Sequence, residues 1–177
     1  NFIGHAGSRT WDLMFHNADI DLLENRPLYP FITSMTCHTG RFAEPSQVSF
    51  GENFVLAPDR GAVAFMGTSG WGYSYEDYYL LRRMYPTVTK DTLRIIGPVI
   101  DQAKFKLWQL YGTSQNVINM LHHYNLMGDP ALTLMLATKP DLAIMPDDIR
   151  VTPETLSEAD STATLGIKLR NYGLATQ

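Results

Sequence analysis

Cysteine occurs once in the 177 residues, at Cys37. A lone thiol excludes an internal disulfide framework, so cysteine usage says nothing of the redox compartment. Basic charge is also sparse: 14 Lys and Arg, scattered along the chain, stand against 18 Asp and Glu for a net charge of −4. That balance carries no electrostatic footprint for nucleic acid or an anionic membrane surface. No stretch approaches the roughly 20 apolar residues of a spanning helix, and no charged start followed by an apolar run marks a signal peptide. Asn1-Phe-Ile-Gly-His5 reads as the tail of a strand, so the chain is expected to be a piece of a longer protein. What remains is a globular protein, 45% apolar and long enough to bury a core.

Two apolar runs end on residues with chemistry. The first, Asn1-Phe-Ile-Gly-His-Ala-Gly7, ends on His5; the second, Phe31-Ile-Thr-Ser-Met-Thr-Cys-His-Thr-Gly40, ends on Cys37. As neighbouring parallel strands they would bring imidazole and thiol out together at the carboxyl edge of one sheet, where open α/β folds build their sites. The intervening chain is long enough for a crossover, and Asn17 to Asn25 supplies one or two helical turns for it. A third apolar run, Gly61-Ala-Val-Ala-Phe-Met-Gly67, reads as a strand buried on both faces and empties into Thr68-Ser-Gly-Trp-Gly-Tyr-Ser74. Three strands ending in loops of small residues suggest one cleft.

Downstream, Tyr75 to Tyr85 reads as a helix with acids at its start and arginines near its end. Ile100, Ala103, Leu107 and Leu110 make 98–111 amphipathic, with Pro98 at the first helical position and Gly112 as the stop. Gln115 to Met127 reads as a further helix and Ala131 to Leu136 as a strand. Beyond Lys139-Pro140 the texture becomes short runs at 141–145, 149–152 and 163–170, separated by Pro, Asp, Ser and Glu, which predicts an all-β module.

Other residues invite chemistry and are read more plainly. His38 would point to the face opposite Cys37 in an extended chain, so a Cys37–His38 pair is disfavoured. His122 and His123, considered with His16 as a metal site, diverge by about 100° on a helix and read as structural or surface residues. Glu76, Asp77, Asp91, Asp101, Asp147 and Asp148 fall at helix starts or in loops, where caps and solvation account for them.

His5-Ala-Gly with Trp11 after it, Thr36-Cys-His-Thr-Gly-Arg-Phe42, Gly61 to Gly67, and Tyr124-Asn-Leu-Met-Gly-Asp-Pro-Ala131 resemble, in order and spacing, the C-terminal half of the gingipain family of cysteine peptidases. The resemblance covers 1–138 and implies a caspase-like α/β fold, a three-layer sandwich with a mostly parallel sheet. Residues 139–177 would begin an Ig-like β-sandwich domain. His5 would be the general base and Cys37 the nucleophile of a cysteine endopeptidase. The backbone N–H groups of Gly4, Ala6 and Cys37 would be oxyanion donors, with Thr36 and Trp71 contacting substrate. The family's pattern has Gly after the histidine where this chain has Ala6; a turn needing φ > 0 there would strain an alanine.

The resemblance further implies a protein or peptide substrate, a secreted or cell-surface bacterial location, and contacts to an upstream part of the same protein. That part would hold the acidic partner of His5 and the floor of the specificity pocket. No cofactor is required; family members hold structural calcium, but no ligand cluster identifies a metal site here. Two other readings stay open: a sortase-like transpeptidase of surface-protein secretion, and an inactive caspase-like scaffold or adhesion module.

Overall fold

A computed structural model describes residues 1–136, 139–155, 157 and 161–172. The chain forms two compact units, Asn1–Leu134 and Met135–Gln177. In the first, a four-stranded sheet runs β1 (Phe2–Ile3), β4 (Phe31–Met35), β5 (Ala64–Thr68) and β6 (Tyr124–Met127), in that spatial order. The β1–β4 and β4–β5 pairs are parallel, and only β6 is antiparallel to its neighbour. A hairpin of β2 (Thr10–Trp11) and β3 (Phe15–His16) leads into the short helix α1 (Asn17–Ile20). Helix α2 (Phe50–Leu56) links β4 to β5, and α3 (Ser74–Thr89), α4 (Ile96–Tyr111) and α5 (Gln115–His123) follow β5.

The period of two along the central strands explains the layers. On one face Met35, Ala64 and Met66 pack with Leu80, Ile100, Leu107 and Met120 from α3, α4 and α5. On the other, Ile32 and Phe65 pack with Ile20, Phe50 and Phe54 from α1 and α2. Both faces of β5 are therefore apolar, and all five of its residues are buried. The result is the mixed α/β three-layer arrangement expected, with a mostly parallel sheet.

Three helix ends have visible causes. Ser49 caps α2 through the Glu52 N–H, and the Glu52 carboxylate accepts the Ser49 N–H at 2.8 Å, a reciprocal capping box. Helix α4 stops at Gly112, whose φ of 64° glycine adopts without a Cβ penalty. The last turn of α5 is closed by Lys104, which donates to the carbonyls of Leu121 and Tyr124 at 2.8 and 2.7 Å. Burial pushes the Lys104 ammonium below its ordinary pKa.

Several elements differ from the sequence reading. The first strand ends at Ile3, two residues before His5. Helix α3 runs to Thr89, through Pro86. Pro98 stands third in α4 rather than first. The helix expected over 115–127 stops at His123, because Tyr124 turns extended and 124–127 pairs with β5. Residues 131–136 form no strand; Thr133 makes a single bridge to Ile95, flanked by backbone bonds from the Ile96 N–H to Leu132 O and from the Leu134 N–H to Arg94 O.

The second unit contains β7 (Leu142–Ala143) paired antiparallel with β10 (Arg170–Asn171), and β8 (Ile149–Thr152) paired antiparallel with β9 (Thr164–Ile167). Arg170 clasps the buried Asp148 carboxylate through Nε and an Nη, each at 2.6 Å. Part of the expected module falls on 156, 158–160 and 173–177, which lie outside the described residues. Among the described residues, no helix is long and apolar enough to cross a membrane.

Candidate active site

The register of β1 on β4 sets the site. Phe2 pairs with Ser34 and Ile3 with Met35, where the ladder ends, and this offset equals the spacing of His5 and Cys37 in the sequence. An aromatic cluster holds this edge. Phe2 stacks on Trp11 at 4.9 Å between ring centroids, Trp11 packs on Phe50 and Phe54, and its indole N–H donates to Ser34 Oγ at 2.7 Å. Thr33 Oγ1 donates to Asn1 Oδ1 at 2.8 Å, tying β1 to β4 a second time. His5 itself is exposed.

After Cys37 the chain turns sharply. His38 takes φ 59°, the left-handed region that few non-glycine residues occupy, histidine among the more tolerant. The His38 N–H donates to Gly70 O at 2.8 Å, and Gly40 N–H donates to Thr68 O at 2.7 Å. The half-buried thiol is thus held at a bend between β4 and the loop that follows β5. Backbone strain of this kind clusters at functional sites.

That loop reaches the sulfur. Gly72 N–H donates to Cys37 Sγ at 3.3 Å, and Sγ lies 3.7 Å from Gly72 O. The two contacts hold the sulfur against the loop of residues 69–73. Glycine is required here for close approach: a Cβ at residue 72 would lie 2.7 Å from Asp77 Oδ2 and 2.9 Å from the Thr36 carbonyl carbon.

Behind Gly72 lies a buried acid. Asp77, 3% exposed, accepts the Tyr124 hydroxyl at 2.7 Å, and Tyr124 is 1% exposed. Burial lifts the Asp77 carboxyl to a pKa of about 6, against the pull of its hydrogen bonds from Tyr124 and the Tyr73 backbone. Burial, with the Asp77 charge beside it, pushes the Tyr124 phenol well above its ordinary value.

The remaining expected residues fall as follows. Trp71 is 64% exposed at the rim, with the His38 ring against it at 4.7 Å. Thr36 is 1% exposed; its carbonyl accepts the Thr68 hydroxyl at 2.6 Å, and its own Oγ1 is buried with no partner. The Thr36 side chain is therefore closed off from any substrate and serves the floor of the site. Ala6 is absent from the described non-glycine residues with positive φ, which are Asp12, His38, Asp59 and Thr92, so its methyl group costs no backbone strain. Gly7 gives its N–H to Thr10 O and His38 its N–H to Gly70 O.

His38 is held below its ordinary pKa, by burial first and then by the charges of Arg41 and His123. Its ring faces Trp71 while Nδ1 is buried without a partner. His123 lies under Gly70, where a Cβ would sit 2.8 Å from its ring. Among the described residues, no cluster of His, Cys, Asp and Glu could hold a metal ion.

Sequence reasoning missed Gly72, Asp77 and Tyr124. Asp77 reads as an ordinary helix-start acid, and nothing local announces that a tyrosine 47 residues later meets it.

Comparison with known proteins bears on the family and the fold. The family model described as Peptidase family C25 matches residues 1–135. The crystal structure of the Arg-specific cysteine proteinase gingipain R (RgpB) superposes with a TM-score of 0.70 at 22% identity, covering 81% of this chain and 35% of that one. The complex of Porphyromonas gingivalis RgpB pro- and mature domains gives 0.67 at 22% identity, covering 81% of this chain and 36% of that one. A third structure, described only as a protease, gives 0.67 at 18% identity over 84% of this chain and 39% of that one. The chain thus spans little more than a third of the length of these structures. No curated protein matches it. On the family match over residues 1–135, with the shared fold beneath it, the chain belongs to Peptidase family C25, the gingipain family of cysteine peptidases.

Proposed function

We propose that this chain carries the Cys/His dyad of a cysteine endopeptidase, with Cys37 as nucleophile and His5 as general base. The reading is supported by the β1–β4 register, whose offset equals the spacing of His5 and Cys37, together with the Gly72 N–H on the sulfur. In the first step Cys37 Sγ attacks the peptide carbonyl as a thiolate, and the proton taken up by His5 passes to the leaving amine as the C–N bond breaks. The thioester is then hydrolysed by water, His5 accepting the water proton, which releases the acid and restores the thiol. The oxyanion formed in both steps would be met by the Gly4, Ala6 and Cys37 amides, each such donor typically worth roughly 3–4 kcal/mol.

Protein or peptide is the substrate class this chemistry serves, with Trp71 at the rim as the candidate substrate contact. A secreted or cell-surface bacterial setting and contact with upstream residues belong to the same reading. Residues 139–177 are proposed to begin an Ig-like module, supported by the two antiparallel ladders there. The test is peptide hydrolysis by the full chain within its parent protein, compared with Cys37→Ala. Hydrolysis that vanishes with the substitution supports the proposal, and hydrolysis unchanged by it removes Cys37 from the chemistry.

A further inference from the structure

The buried pair beneath the nucleophile has no part in the chemistry described above. Asp77 stands in the first turn of α3, where its carboxylate accepts the Tyr124 hydroxyl from β6 and a hydrogen bond from the Tyr73 backbone. Tyr124 in turn meets the backbone of Thr36, the residue before the nucleophile. Asp77 Oδ2 lies against Gly72, close enough that no Cβ fits between them. One carboxylate therefore joins α3, β6, the end of β4 and the loop of residues 69–73. That loop delivers the only described backbone N–H that reaches Cys37 Sγ.

We propose that Asp77 is a positioning residue: with Tyr124 and the Tyr73 backbone, its ionised carboxylate fixes the 69–73 loop so that the Gly72 N–H stays on Cys37 Sγ. The inference rests on the peptidase reading above. The carboxylate form accepts from both donors, whereas protonation turns one oxygen into a donor and gives up one of these bonds. The titratable groups around it are Glu76 on its own helix and Tyr124 from β6, which itself faces Cys37. Glu76 raises the Asp77 pKa and the Tyr124 hydrogen bond lowers it.

This makes the acid side of the pH profile diagnostic. A catalytic imidazole brings its own limb, which a change on β6 does not move. The Asp77 limb, near its pKa of about 6, moves upward in Tyr124→Phe because the hydrogen bond that lowers it is gone. A residue that served packing alone would shift no limb.

The experiment measures, in the full chain within its parent protein, the pH dependence of peptide hydrolysis and of Cys37 alkylation by iodoacetamide, for wild type, Asp77→Asn and Tyr124→Phe. Expected are a limb that is absent in Asp77→Asn and displaced to higher pH in Tyr124→Phe, with hydrolysis at neutral pH at least about tenfold lower in Asp77→Asn. Limbs at the same pH in all three proteins overturn the inference. Should Asp77→Asn not fold, the displacement in Tyr124→Phe decides alone. Alkylation with an Asp77-dependent limb but no hydrolysis by any of the proteins retires the peptidase reading and leaves the positioning role standing.

Discussion

Substituting Gly72→Ala puts a methyl group where the site has no room. The new Cβ would stand 2.7 Å from Asp77 Oδ2 and 2.9 and 3.0 Å from the Thr36 carbonyl carbon and oxygen. Neither neighbour gives easily: the Thr36 carbonyl is held by the Thr68 hydroxyl at 2.6 Å and Asp77 by Tyr124 at 2.7 Å. The loop must therefore move, by about 0.7 Å to restore an ordinary 3.4 Å contact. Added to the 3.3 Å N–H to sulfur separation, that shift brings the bond to the limit of sulfur hydrogen bonding. A hydrogen bond to a charged group contributes about 1.5–3 kcal/mol, which corresponds to roughly a 10- to 100-fold loss in kcat/KM. Overpacking costs a further ~1–3 kcal/mol of stability. Peptide kinetics on the variant, read beside its thermal unfolding, separate the two effects. Full kcat/KM with a lowered Tm would refute the claim that the Gly72 N–H supports the Cys37 sulfur in the reaction.

Trp11→Ala removes the hub of the aromatic cluster and should lower unfolding free energy by about 3–5 kcal/mol in denaturant titration; a loss under 1 kcal/mol would show that the cluster does not hold β1 in place. Stability linked to Asp77 runs opposite to the activity limb. Its folded pKa is raised, so its contribution is present below about pH 3.8 and is lost as pH rises through about 6, a fall on the order of 3 kcal/mol. Asp77→Asn should flatten that slope in urea titrations across pH 4–7, and an unchanged slope would contradict the assignment. In the second unit, Arg170 lowers the Asp148 pKa, so its stabilising contribution is present above the ordinary carboxylate range and lost as pH falls through the lowered value. Limited proteolysis of residues 139–172 should accelerate in Asp148→Asn at neutral pH, and equal rates would contradict the clasp.

How far the residues announced all this depends on how local each cause is. Phe31 to Met35 is legible because a β-branched and aromatic run forms a buried central strand. The 32-residue spacing of His5 and Cys37 is legible because it equals the ladder offset. Residues 131–136 look no less strand-like, but their neighbour, residues 94–97, runs straight into α4, so the pairing stops at one bridge and its flanking backbone bonds. Tyr124 to Met127 continues a helical pattern on paper, yet the open edge of β5 recruits it and the Tyr124 hydroxyl is drawn to Asp77. Gly72 and Asp77 stayed hidden for the same reason, since their meaning lies in contacts made across 35 and 47 residues of chain. The left-handed turn at His38 was hidden as well, because an extended reading of the strand end carries straight through it.

The dyad can be measured directly with a short bifunctional alkylating agent of the dihaloketone type, which joins a thiolate to an imidazole only when both stand within a few bonds of one carbonyl carbon. Peptide mapping of the treated protein should recover one bridged product containing both His5 and Cys37. A bridge to His38, or a sulfur adduct with its second arm free, would contradict the pairing on which the proposed chemistry depends.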